Sequence, residues 1–135
     1  MALATASEYK AYSGATEADS VVTSALAFAQ SMMDSYCNRT FEQATYTDEA
    51  YDGSRGPRIV LPHAPVSAVT AVKIRHSSSS ATTLATSEYR FHAETGILIR
   101  DAGGYAECGR VGWPFGHKNI LVTYTGGYAS GLGPE

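Results

Sequence analysis

The sequence has little cysteine, no concentration of basic charge and no long apolar run, and each shortage removes a class of protein. Its two cysteines, Cys37 and Cys108, form neither a CxxC pair nor a disulfide framework, so a thiolate metal knuckle and a stapled secreted scaffold are both excluded. Both are read as free thiols that serve packing. Ten Lys and Arg stand against thirteen Asp and Glu, for a net charge of −3 with no basic block. That leaves no electrostatic footprint for capturing nucleic-acid phosphates. No apolar run approaches the roughly 20 residues of a membrane span. Met1-Ala2-Leu3-Ala4 lacks the basic and apolar regions of a secretion signal, which predicts a soluble, unsecreted protein with no membrane partner.

Chemistry-bearing motifs are equally scarce. His63, His76, His92 and His117 are scattered, without an HExxH pair or a ligand spacing shared with the cysteines, so no metal site is expected. Ser130, in Gly127-Tyr128-Ala129-Ser130-Gly131, has the wrong spacing for a nucleophile elbow, and no phosphate-cradling GxxxxGK[ST] loop occurs. Asp48, Glu49 and Asp52 are the densest acidic group. Paired carboxylates can act as acid and base on glycosides, but beside Tyr51 and Gly53 they fit turn chemistry better. Asn38-Arg39-Thr40 matches the glycosylation sequon and, without a secretion signal, is read as accidental. No catalytic residue, metal or cofactor is expected, and the protein is read as not an enzyme.

What is present is ordinary globular material, 135 residues with 44% hydrophobic and 17% charged, enough for one domain with one modest core. Ser7 to Tyr12 predicts a short helical turn closed by Gly14 in the left-handed region. Thr16 is the expected N-cap of a second helix, with Glu17 and Asp19 favouring the positive end of its dipole. Val22, Ala25, Leu26, Ala29, Met32, Met33 and Tyr36 then recur at three- and four-residue spacing, an apolar stripe along one long amphipathic helix. Met32-Met33 fits core filling, or an adaptable partner surface because methionine repacks easily.

After Phe41 the pattern turns to short period-two or β-branched runs between Gly, Pro, Asp and Ser clusters. Tyr51-Asp52-Gly53 reads as a turn and Arg58 to Leu61 as a short strand, confined to a sheet edge by Pro62 and Pro65. Val69 to Arg75 reads as a strand and Ser77 to Thr83 as a solvated tip between strands. Tyr89 to Arg100 reads as a hairpin turning at Thr95-Gly96. A Gly-rich stretch over 101–118 with Trp113-Pro114 leads to a last strand, Ile120 to Tyr124, ended by Gly126-Gly127. The fold class is therefore α+β: N-terminal helices over about 5–37, then a mainly antiparallel sheet or small β-sandwich over about 41–128. Nine tyrosines and one tryptophan suit either sheet packing or a protein interface.

Several blocks occur in a telling order: Glu8-Tyr9-Lys10-Ala11-Tyr12 before a helix, Tyr36-Cys37-Asn38-Arg39-Thr40-Phe41 at that helix's end, then Tyr51-Asp52-Gly53, Ile59-Val60-Leu61-Pro62 and Pro65-Val66. Glu88-Tyr89-Arg90-Phe91, Gly96-Ile97-Leu98-Ile99, Trp113-Pro114 and Ile120 to Tyr128 follow. Together they resemble the head-tail connector family of tailed bacteriophages, also called head completion or adaptor proteins, over most of the chain. The resemblance implies a structural virion protein at the head-tail junction, assembled in the host cytoplasm. Its partners would be the portal protein, a stopper or tail-completion protein, and neighbouring copies of itself in a ring of about twelve, closed by a repeated rotation. The ring would extend the DNA channel, through which double-stranded DNA passes without specific binding. Expected partner-interface residues are Met32, Met33 and Tyr36 on helix 16–37, Arg58 and Val60 on the β-edge, and Trp113. Members of that family usually continue past the Gly-Tyr of the last strand into one or two C-terminal helices. Pro134-Glu135, a favoured helix start, leaves open a shortened sequence or another mode of docking. Rival readings are another β-rich virion subunit, such as a tail-completion or tail-tube protein, and a small carbohydrate-binding or hydrolytic domain using Asp48, Asp52, Trp113 and nearby tyrosines.

Overall fold

A computed structural model of the chain describes residues 3–101 and 112–129. Cys108, most of the Gly-rich stretch, Ser130 and Pro134-Glu135 lie outside the described residues. The backbone divides into two units, one from the chain before Ala44 together with the stretch from Gly127, the other Ala44–Gly126.

The first unit begins with helix α1, Ala6–Ser13, whose start is a capping box. Glu8 N–H donates to Thr5 Oγ1 at 3.3 Å, and Thr5 N–H donates to Glu8 Oε2 at 2.7 Å, so two otherwise orphaned donors are satisfied reciprocally. Gly14 closes the helix at φ 69°, its N–H bonded to Lys10 O, as its freedom in the left-handed region allows. Helix α2 runs Asp19–Cys37. It starts later than expected: Ala18, not Thr16, is the N-cap and supplies no side-chain bond, while Lys10 pairs with Asp19. Asn38, in the left-handed region at φ 49°, ends α2, a conformation asparagine tolerates better than most residues. Beyond it Tyr128 N–H donates to Phe41 O at 2.8 Å and Gln43 N–H to Tyr128 O at 3.0 Å, a short parallel bridge inside this unit.

The second unit holds β1 (Ala44–Gly53), β2 (Arg58–Val60), β3 (Val66–Ser77), β4 (Ser80–Thr83), β5 (Tyr89–His92), β6 (Ile97–Arg100) and β7 (Gly116–Gly126). All pairings between strands are antiparallel, in a four-stranded sheet of order β1-β7-β3-β4 and a three-stranded sheet of order β2-β6-β5. The α+β class with mainly antiparallel sheets holds. The hairpin over 89–100 forms around Gly96 at φ 67°, and β2 is a sheet edge, as its flanking prolines require.

Two turns fall elsewhere than expected. Tyr51-Asp52-Gly53 completes β1 by pairing with distant β7, so the chain reverses after Gly53. Residues 80–83 form strand β4 and leave a shorter tip. Both sheets feed one buried cluster: Val66, Val72, Ile120, Val122 and Tyr124 from the larger, Ile59, Tyr89 and Leu98 from the smaller, with Leu61 and Trp113. Trp113 is pinned on three sides, donating Nε1–H to Pro57 O at 3.0 Å and N–H to Gly56 O, and accepting from Arg55 N–H.

Candidate functional site

Helix α2 has a composition that water does not explain. Over its nineteen residues the only charged side chains are Asp19 and Asp34, whereas a helix facing solvent ordinarily carries charges along its outer face. Only Val22 is buried; Val21, Phe28, Met32, Met33 and Tyr36 are 59%, 68%, 58%, 50% and 92% exposed. Val21, Phe28, Met32 and Tyr36 are spaced by seven, four and four residues, which stacks them on one side of the helix. Full burial of a Val, Phe or Met side chain is worth about 1.5–3 kcal/mol, and the exposed part of each forgoes its share of that. The arrangement is an exposed apolar strip with little charge.

Met32 and Met33 therefore do not fill the core of the single chain, because the inward-facing part of α2 lies about 100° round the helix, at Val22 and Leu26 beside Tyr9. Val21 and Phe28 belong to the exposed stripe and were missed in the sequence. Phe28 stands four residues before Met32 and eight before Tyr36, the signal that could have found it. Cys37, expected to pack, is free and exposed at the last turn of α2. A neighbouring cleft of this unit is lined by Thr5, Thr23, Gln30, Asp34 and Glu42. There Gln30 Nε2 donates to Glu42 Oε2 at 3.2 Å, and Phe41 N–H to Asp34 Oδ1 at 3.2 Å.

The β-unit residues separate by strand alternation. In β2, Arg58 and Val60 point outward, Val60 being 65% exposed, while Ile59 between them is buried. Trp113 is fully buried. Its indole belongs to the core, with the Arg100 guanidinium over its ring at 5.6 Å, and is neither a partner anchor nor an exposed platform for a sugar ring. Phe115 and Tyr128 are the exposed aromatics on either side of β7, at 74% and 51%.

The three carboxylates of β1 are engaged separately. Asp48 sits in a bulge at φ 50°. It accepts two bonds from Lys73 Nζ at 2.9 and 3.1 Å, which hold its carboxyl below the ordinary value. Glu49 accepts from the Tyr51 and Tyr124 hydroxyls at 2.7 and 2.6 Å. Burial, and then the bonds with Tyr124 and Glu49, push the Tyr51 phenol far above its usual range; burial and the Glu49 bond do the same for Tyr124. Asp52 accepts from Lys118 N–H at 2.6 Å and lies 2.9 Å from His117 Nδ1. The acids thus tie strands together, and the turn reading of this group is corrected. Among the described residues no three of His, Cys, Asp and Glu gather as metal ligands, and no helix is long and apolar enough to cross a membrane.

A family model described as head completion protein matches residues 2–132 of the chain. A search of curated proteins found no match.

Proposed function

The chain belongs to the head completion protein family, and from that premise we propose that it is a connector subunit forming a ring on the portal. A head completion protein is a bacteriophage structural protein and a virion component that associates with other head and tail proteins. In the proposed role, copies of the chain assemble head to tail into a closed ring of about twelve, the repeated heterologous contact turning by a rotation that closes the circle. The ring docks on the portal protein at the head-tail junction, prolongs the DNA channel and carries the stopper or tail-completion protein, while DNA passes without specific binding. Assembly takes place in the host cytoplasm.

The observation that carries this reading is the uncovered, nearly charge-free face of α2, with Phe28, Met32 and Tyr36 in water. Interfaces favour aromatic and methionine side chains and shed charge at their centre, and this face has that composition. Light scattering on the purified chain, alone and mixed with a portal protein, tests the proposal. A ring-sized mass in either sample supports it; a strict monomer with no affinity for portal refutes it.

A further inference from the structure

Resting on the ring reading above, we infer that neighbouring copies join by edge-to-edge strand pairing, β4 of one copy against residues 50–53 in β1 of the next. The two strands are the opposite edges of the four-stranded sheet, and an exposed edge is a template for another strand. In the order β1-β7-β3-β4 every neighbour is antiparallel, so β4 runs opposite to β1. A copy related by rotation, without being turned over, therefore brings its β1 alongside β4 in the antiparallel sense. The repeat adds four strands each time and never runs out of edges until the ring closes.

The edges also match in detail. Ser80–Thr83 contains no charged residue and no proline, whereas β2 is flanked by Pro57 and Pro62 and β5 carries Arg90 and His92, the usual devices that blunt an edge. Leu84 N–H bonds to Val72 O. Antiparallel alternation then turns the N–H and C=O of Ala81 and Thr83 away from β3, towards an incoming strand. Val72 and Val122 pair and both face the core, and Glu49 pairs with Val122. The same alternation turns the backbone groups of Ala50 outward from β7, and Asp52 follows at the register shift between Tyr51 and Gly53. Opposing Ser80–Thr83 to residues 53–50 of the neighbour pairs Ala81 with Asp52 and Thr83 with Ala50, beyond the bulge at Asp48 and reaching the second irregularity of β1, between Tyr51 and Gly53.

Charge agrees with this register. No Asp or Glu occurs between Asp52 and Glu88, while Arg55, Arg58, Lys73 and Arg75 do. Arg75 is exposed and is the cross-strand partner of Ala81. The small Ala81 side chain leaves room for the guanidinium to turn from Asp48 of its own chain over β4 to the Asp52 carboxylate of the next copy, where it would join Lys118 N–H and His117. Strand pairing supplies the backbone bonds and the Arg75–Asp52 pair fixes which edge meets which.

The test uses the full chain with Cys37 and Cys108 changed to serine and the pair Ala50→Cys and Thr83→Cys added, because directly opposed strand positions suit a disulfide. Oxidation at low concentration, alone and with portal protein, is read by non-reducing gel. A ladder of dimer, trimer and higher multiples, absent from either single cysteine variant, is expected. Thermal melting is the control that the variants fold. Arg75→Glu should lower the scattering mass to that of the monomer, and Arg75→Glu with Asp52→Arg should restore it. Ring-sized particles without a ladder, insensitive to the Arg75 and Asp52 changes, overturn the edge pairing and leave the ring reading intact. Absence of rings with and without portal overturns the ring reading itself.

Discussion

At the scale of single residues, Asp48 shows how a charge that invites a catalytic reading is consumed by the fold. It occupies the left-handed region, binds Lys73 in two bonds, and receives Thr123 Oγ1–H at 3.4 Å while its own N–H donates to Thr123 Oγ1 at 3.1 Å. Its carboxyl is depressed below the ordinary 3.8, first by the Lys73 hydrogen bond. A depressed carboxylate contributes stability above the unfolded value, and that contribution is lost as pH falls through the folded value. Asp48→Asn keeps the tolerance for positive φ and removes only the charge. Because the pair is exposed to solvent, the loss at pH 7 should be modest, about 0.2–1 kcal/mol. Urea unfolding of the two proteins should differ by that amount at neutral pH and converge in acid. A difference that persists below the depressed value would mean that Lys73 is not its source.

At the scale of elements, α2 carries the sharpest separation between folding and function. Phe28→Ser removes an exposed aromatic side chain. The isolated chain should therefore keep its melting temperature, with a change in stability within about 0.5 kcal/mol, while self-association or capture by portal protein weakens by tenfold or more. A loss of both would place Phe28 in the core. The helix itself was legible because its apolar period is strong, and it ends at Cys37, where the sequence placed its end. What the stripe could not disclose is which part of it the single chain covers. Amphipathic spacing reports that a face is to be buried and is silent on whether the cover comes from the same chain or another. Thr16 failed as a cap because helix starts compete locally, and Asp19 is drawn to Lys10 from α1. In the β-unit, Asp52-Gly53 is a good turn signal overruled by pairing with a strand more than sixty residues away, a contact that no local window contains. Trp113 was expected at an interface from its chemistry; the backbone acceptor at Pro57 satisfies its N–H and permits full burial.

At the scale of the whole molecule, the length of the chain was read as one domain, while the backbone divides into two units. The two descriptions lead to different melting behaviour. If the helical and β units unfold together, calorimetry of the dilute protein should give a single transition whose calorimetric and van't Hoff enthalpies agree. Two separable transitions would instead make the helical unit a semi-independent piece. Ring formation adds a second dependence, because anything that binds the folded chain and not the unfolded one raises its stability by mass action. The melting temperature of the native sequence should then rise with protein concentration, and that of Phe28→Ser should not. Arg75→Glu should flatten the same slope by another route, since it acts at the sheet edge and leaves α2 untouched. A concentration-dependent melt abolished by Phe28→Ser but insensitive to Arg75→Glu would assign self-association to the helix face alone.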